Sequence, residues 1–129
     1  MEGNWTIDTL FGQQPTNLKL FNYIKRQIEA CGDVKLAVTK TQASFGVKRK
    51  FAWVWATPAT KKQPEGTLML TLDMLEKETD NRNLIREIIK YRDDKWTHQI
   101  PIQGIETIDT IAQLGWFEEA YKFGLGTNT

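Results

Sequence analysis

At Gly32 the spacing of apolar residues changes from that of a helix to that of a strand, so this chain must stack helix against sheet. Before it, Leu18, Phe21, Ile24, Ile28 and Cys31 recur at three- and four-residue steps, forming one face of an amphipathic helix. Pro15 and Thr16 open that helix, the Thr as N-cap or the Pro in the first turn, and Gly32 stops it. After it, Val34, Leu36 and Val38 alternate with polar or small residues, as do Ala43, Phe45 and Val47. That alternation predicts two paired strands with Thr39, Lys40 and Thr41 in the turn.

The pattern extends to a third strand at Phe51 to Ala56, set off by Lys48, Arg49 and Lys50, and a fourth marked by Leu68, Leu70 and Leu72. Thr57 to Gly66, with Pro58, Pro64 and Gly66, reads as the connection between them. Asp80 or Asn81 is placed to cap a short helix carrying Leu84, Ile85, Ile88 and Ile89, although an extended segment fits that brief cluster too. Trp96, His98, Ile100 and Ile102 alternate as a fifth strand in which Pro101 requires an edge or a bulge. A last helix is expected from about Thr107 to Phe123, ending at Gly124, and Trp5, Ile7, Leu10 and Phe11 form a short packed element before Gly12.

The order predicts an α+β fold: a single domain over residues 1–129, with a core over about 5–123 and a tail at 124–129. Its expected sheet is mainly antiparallel, of roughly five strands, with the N-terminal and C-terminal helices on one face. The lone Cys31 cannot form an internal disulfide, and no signal-like stretch precedes the first element, so a reducing cytoplasm is expected. The apolar runs fall far short of the roughly 20 residues that cross a bilayer.

The net charge of +1 conceals an uneven distribution. Residues 34–64 carry +7, with seven Lys or Arg and no acid, while 1–33 carry −1 and 65–129 carry −5. This asymmetry suits an anionic partner, nucleic acid or a phosphorylated ligand, or the pairing of two copies as a homodimer. The third strand has two apolar faces, Phe51, Trp53 and Trp55 on one and Ala52, Val54 and Ala56 on the other. Either it is covered on both sides or Trp53 and Trp55 face a ligand, with Lys48, Arg49, Lys50, Lys61 and Lys62 as the basic groups near them. The turn before this strand and the loop after it lie at opposite strand ends, however, which would split the lysines into two patches.

His98, the sole histidine, is the candidate acid or base, with Tyr121, Glu119 or Lys40 as helpers in a pocket between sheet and helix. The alternative is a buried structural histidine. A single His without a neighbouring Cys or His does not make a zinc site, and Asp93 and Asp94 read as a solvated turn, so neither a metal nor a cofactor is expected. No glycine-rich phosphate loop, G-x-S-x-G elbow or H-E-x-x-H pair occurs. Cys31 reads as a small buried hydrophobe rather than a nucleophile.

Lys40-Thr41, Phe51-Ala52, Trp96-Thr97-His98, Ile108-Asp109 and Glu119-Ala120-Tyr121 together give the chain a family likeness. It resembles a family of small bacterial domains of unknown function, found alone or appended to other domains. The likeness runs from about Leu10 to Phe123 and is densest from Arg86 through His98 to Tyr121. Members often carry a second His where this chain has Gln99. The resemblance implies a standalone cytosolic domain and transfers no site. Three functions stay open: a noncatalytic binding module, a small enzyme built on His98, and a structural accessory domain.

Overall fold

The computed structural model describes residues 6–11, 15–56 and 67–126. In chain order the elements are α1 (Ile7–Phe11), α2 (Pro15–Glu29), β1 (Lys35–Val38), β2 (Ala43–Gly46), β3 (Lys50–Ala56), β4 (Leu68–Met74), β5 (Glu87–Arg92), β6 (Lys95–Ile102), α3 (Ile105–Gln113) and α4 (Trp116–Leu125). The strands form one antiparallel sheet in the order β1-β2-β3-β4-β6-β5. The fold is α+β with helices from both ends of the chain over one face, and among the described residues the sheet has six strands, not five.

Cross-strand register decides which residues meet. Leu36, Phe45, Ala52, Leu72, His98 and Ile88 form one row, and Val38, Ala43, Val54, Leu70 and Ile100 form the next. Both rows face the helices. Most of their members are fully buried in one core with Phe21, Ile24 and Ile28 of α2, Ile108 and Ile111 of α3, and Trp116, Phe117, Ala120 and Phe123 of α4. Tyr23 of α2 donates to the Asp109 carboxylate of α3 at 2.6 Å, tying these helices at their outer edge.

Four local expectations are corrected. The segment after Asp80 is not helical. The Asp80 carboxylate instead accepts from the Leu84 and Ile85 amides at 2.9 and 2.7 Å, organising a turn in which Asn83 takes φ 57°, and Ile88 and Ile89 then lie on opposite faces of β5. The expected last helix is two, because Gly115 adopts φ 77° and turns the chain between α3 and α4. Helix α4 also runs through buried Gly124 and ends at Gly126 in the left-handed conformation.

The fourth correction re-phases β3. Phe45 pairs with Ala52 but Gly46 pairs with Lys50, so Phe51 is an extra residue, a β-bulge. Its ring therefore turns to the helix side beside Ala52, edge-on to Tyr121 with centroids 5.8 Å apart, and away from the face of Trp53 and Trp55. Pro101 needs no bulge, since β5 begins at Glu87 opposite Gln99 and leaves β6 locally without a neighbour on that side.

Candidate functional site

The opposite face of the sheet carries no described helix, yet parts of it are dry. In register across it run Ser44, Trp53, Thr71, Gln99 and Glu87, and beside that row Asp73, Thr97 and Ile89. Ser44, Thr71, Asp73 and Thr97 are all buried polar residues, Asp73 only 2% exposed. An antiparallel sheet with one free face normally presents such positions to water. Here Thr71, Asp73 and Thr97, with Gln99, form the floor of a cleft of about 370 Å³. Half-buried Trp53 and Trp55 of β3 stand on one side, Ile89 and Tyr91 of β5 on the other, with Gln42 and Lys95 completing the lining.

The floor is a block of four side chains on the two central strands, Thr71 opposite Gln99 and Asp73 opposite Thr97. Thr97 donates its hydroxyl to Asp73 Oδ1 at 2.5 Å, and Lys95 Nζ approaches Oδ2 only to 3.9 Å while lying 5.1 Å from the Tyr91 ring centroid. Burial pushes the Asp73 carboxyl above the usual carboxylate range, against the opposing pull of the Thr97 hydroxyl and then of Lys95, Arg49 and Arg92. The buried Thr71 hydroxyl has no hydrogen-bond partner among the described residues. Unsatisfied buried polar atoms carry a desolvation cost of about 1 to 3 kcal/mol each, and this one lines a cleft a ligand can enter.

The basic residues disperse. Arg49 is structural: Nε donates to the Phe123 carbonyl at 2.6 Å, the guanidinium lies 3.7 Å from the Phe123 ring centroid, and the Lys48 and Arg49 amides donate to the Gly124 carbonyl. The turn thus closes the C-terminal end of α4, where carbonyls lack helical partners. Lys48 and Lys50 are exposed. Lys61 and Lys62 lie outside the described residues.

His98, Tyr121 and Lys40 share no partner. His98 is fully buried; its Nε2 accepts from the Glu78 amide at 3.2 Å, which assigns the proton to Nδ1, 3.3 Å from the Leu72 carbonyl. Burial holds the imidazole below its usual range, opposed by backbone contacts to Leu72 and Trp96. Tyr121 donates to the Asp33 carbonyl at 3.1 Å, Glu119 pairs with Lys122 on the α4 surface, and Lys40 is exposed in the β1–β2 turn. Cys31 is half-buried, its thiol pushed up by burial and by Glu118. Asp93 and Asp94 pair with Lys90 and Arg92 in the β5–β6 turn.

A pH dependence follows from His98. Its native-state pKa is depressed, so its contribution to stability is complete above the unfolded value of about 6.5 and is lost as pH falls through the native value. Asp73 acts in the reverse sense, because its raised pKa makes protonation favour the native state. Comparing the wild type with His98→Gln at each pH cancels the Asp73 contribution. Melting temperatures of the two proteins are expected to converge as pH drops from 7 toward 5, and parallel curves would show that His98 does not titrate between native and unfolded states.

Trp53 and Trp55 stood out in the sequence; Thr71, Asp73, Thr97 and Gln99 did not. Their signal is an acid and a hydroxyl at alternate positions of the otherwise apolar Leu68-Met69-Leu70-Thr71-Leu72-Asp73-Met74 run, buried along its full length as β4. Among the described residues no three His, Cys, Asp or Glu side chains gather as metal ligands, and no helix is long and apolar enough to cross a membrane.

No curated protein and no solved structure matches the chain significantly. Residues 7–124, nearly its whole length, match a family described as Domain of unknown function (DUF5655), and the chain belongs to that family.

Proposed function

We propose that this domain is a binding module whose site is the open-face cleft, and that its ligand is a nucleobase, free or in a single strand. The observation that carries the reading is the buried polar floor flanked by aromatic side chains on the face that carries no described helix. Strands β3 and β5 lie three strand spacings apart, about 14 Å, with β4 and β6 between them. A flat ring standing on edge in that trench sets its faces toward the indoles on one side and Ile89 and Tyr91 on the other. Its edge meets the hydroxyl, carboxylate and amide groups of the floor. Bases carry a flat face and a hydrogen-bonding edge together, and proteins read unpaired bases this way.

Lys95 at the cleft supports an attached phosphate. An acid–base role for His98 has less support, since both ring nitrogens are occupied by the backbone. A cytoplasmic setting fits the single free thiol.

The test is the fluorescence anisotropy of a labelled, unstructured mixed-sequence DNA strand titrated at low salt. Binding is expected, with Trp53→Ala weakening it about 5- to 150-fold, the equivalent of roughly 1 to 3 kcal/mol per stacked base. Affinity should fall with salt according to the phosphates contacted. No binding of the strand at low salt together with no binding of free nucleoside monophosphates, or equal binding by Trp53→Ala, overturns the proposal.

A further inference from the structure

The floor of the cleft holds one side chain that, ionised, only accepts, the Asp73 carboxylate, and it restricts the base edge that suits the site. Asp73 brings a carboxylate whose Oδ1 is held by Thr97 and whose Oδ2 has, among the described residues, only Lys95, 3.9 Å away, beyond hydrogen-bond distance. An ionised carboxylate is an acceptor without a donor, with capacity for about four hydrogen bonds, so Asp73 is under-used. The Thr71 hydroxyl, two residues away on the same face of β4, has no partner among the described residues and supplies another acceptor or a donor. Donors are at hand in the lining: the Lys95 ammonium, the Gln42 amide and, on the floor itself, the Gln99 amide.

From this arrangement we infer that the cleft selects guanine, with the Asp73 carboxylate accepting from guanine N1–H and N2–H and a flanking donor reaching O6. The inference rests on the nucleobase reading above. Of the common bases, guanine alone places two adjacent N–H donors beside a carbonyl acceptor on its Watson–Crick edge, the complement of a carboxylate flanked by donors. Adenine and cytosine offer one exocyclic amino donor beside a ring-nitrogen acceptor, which would set a lone pair against Asp73. Uracil offers one N–H between two carbonyl acceptors, with the same conflict. To admit guanine the Lys95 ammonium moves from Oδ2 toward O6 or the phosphate. Its side chain is about a third exposed, and among the described residues it is held by the 3.9 Å approach to Asp73 and the Tyr91 ring 5.1 Å away, contacts weak enough to exchange for O6 or a phosphate.

A carboxylate buried under a polar trench is costly to a fold, and misfit bases are rejected because they leave it unpaired. Discrimination by a site of this type exceeds what stacking supplies, since stacking tolerates every base.

Calorimetric titration of the intact domain with GMP, IMP, AMP, CMP and UMP tests the inference, with the same phosphate on every ligand. GMP is expected to bind at least about tenfold more tightly than AMP, CMP or UMP, with IMP, which lacks the N2 amino group, between GMP and the rest. This wild-type series needs no variant to fold. Asp73→Asn, its folding checked by circular dichroism, should reduce the GMP preference to within about twofold, whereas Trp53→Ala weakens all five ligands together. Equal binding of GMP and AMP, or a preference that survives Asp73→Asn, overturns the guanine assignment while leaving the nucleobase reading in place. If none of the five monophosphates and no single strand binds, both fall.

Discussion

Gly124→Val is expected to lower the melting temperature by about 10 °C or more, or to leave the domain unfolded. Any Cβ at residue 124 would lie inside the van der Waals envelope of the Phe51 ring. That ring is fully buried and held edge-on by Tyr121, so it has no open space to swing into. Nor can the helix step away, because the Gly124 carbonyl accepts from both the Lys48 and Arg49 amides, at 3.0 and 3.1 Å, and Arg49 Nε holds the Phe123 carbonyl. Thermal melts followed by circular dichroism read the effect. The double variant Gly124→Ala, Phe51→Leu should melt above the value expected from adding the two single changes, since the smaller side chain relieves the collision. A Gly124→Val protein that melts within a degree or two of the wild type would show that α4 does not sit this closely on β3.

Phe21→Ala should cost about 3 to 5 kcal/mol, roughly a fifth or more of the stability of an ordinary domain. Phe21 is the middle ring of three, with centroids 4.9 Å from Phe11 and 5.9 Å from Phe45. It joins α1, α2 and β2 and is fully buried. Truncation leaves a cavity and removes two aromatic pairs, worth about 0.5 to 1.5 kcal/mol each beyond buried area. Urea denaturation with an unchanged slope would report a true loss of stability rather than a change in the unfolded state. A loss below about 1 kcal/mol would show that neighbouring side chains collapse into the space, and that the stack is not what fixes α1 and α2 to the sheet.

Periodicity carried most of this architecture. The helical stripe from Leu18 to Ile28 and the alternations around Leu36, Phe45, Leu70 and Ile100 are local patterns, and each corresponds to an observed element. The features that escaped depend on other things. Gly115 sits within a helical stripe, and whether the chain bends there depends on what α3 and α4 pack against. β5 is an edge strand whose Ile88 and Ile89 side chains leave on opposite faces, so neither helix nor strand periodicity marks it. The bulge at Phe51 is set by the pairing of β2 with β3, a non-local matter. Among the candidate residues, Arg49 looked like a ligand-binding cation because its real partners, the Phe123 ring and carbonyl, lie 74 residues away in sequence. Asp73 and Thr71 drew no reading from the sequence for the same reason: the side chains that flank them in the cleft stand on β3 and β5, remote in sequence.

The extra residue at Phe51 also governs which changes of length β3 can absorb. Side chains alternate strictly along a strand, so losing or gaining one residue reverses every side chain beyond the change. Deleting one residue at the bulge, Phe51 or Ala52, would restore a regular β2–β3 ladder and keep both faces, whereas deleting Val54 would send the Trp55 indole into the helix layer. Removing or adding two would keep both faces and shift only the turn. Beyond the bulge the strand should therefore accept length variation in pairs and resist it in single steps, while at Phe51 a single residue can be lost, and the regular pairing of β3 with β4 carries this parity rule across the centre of the sheet.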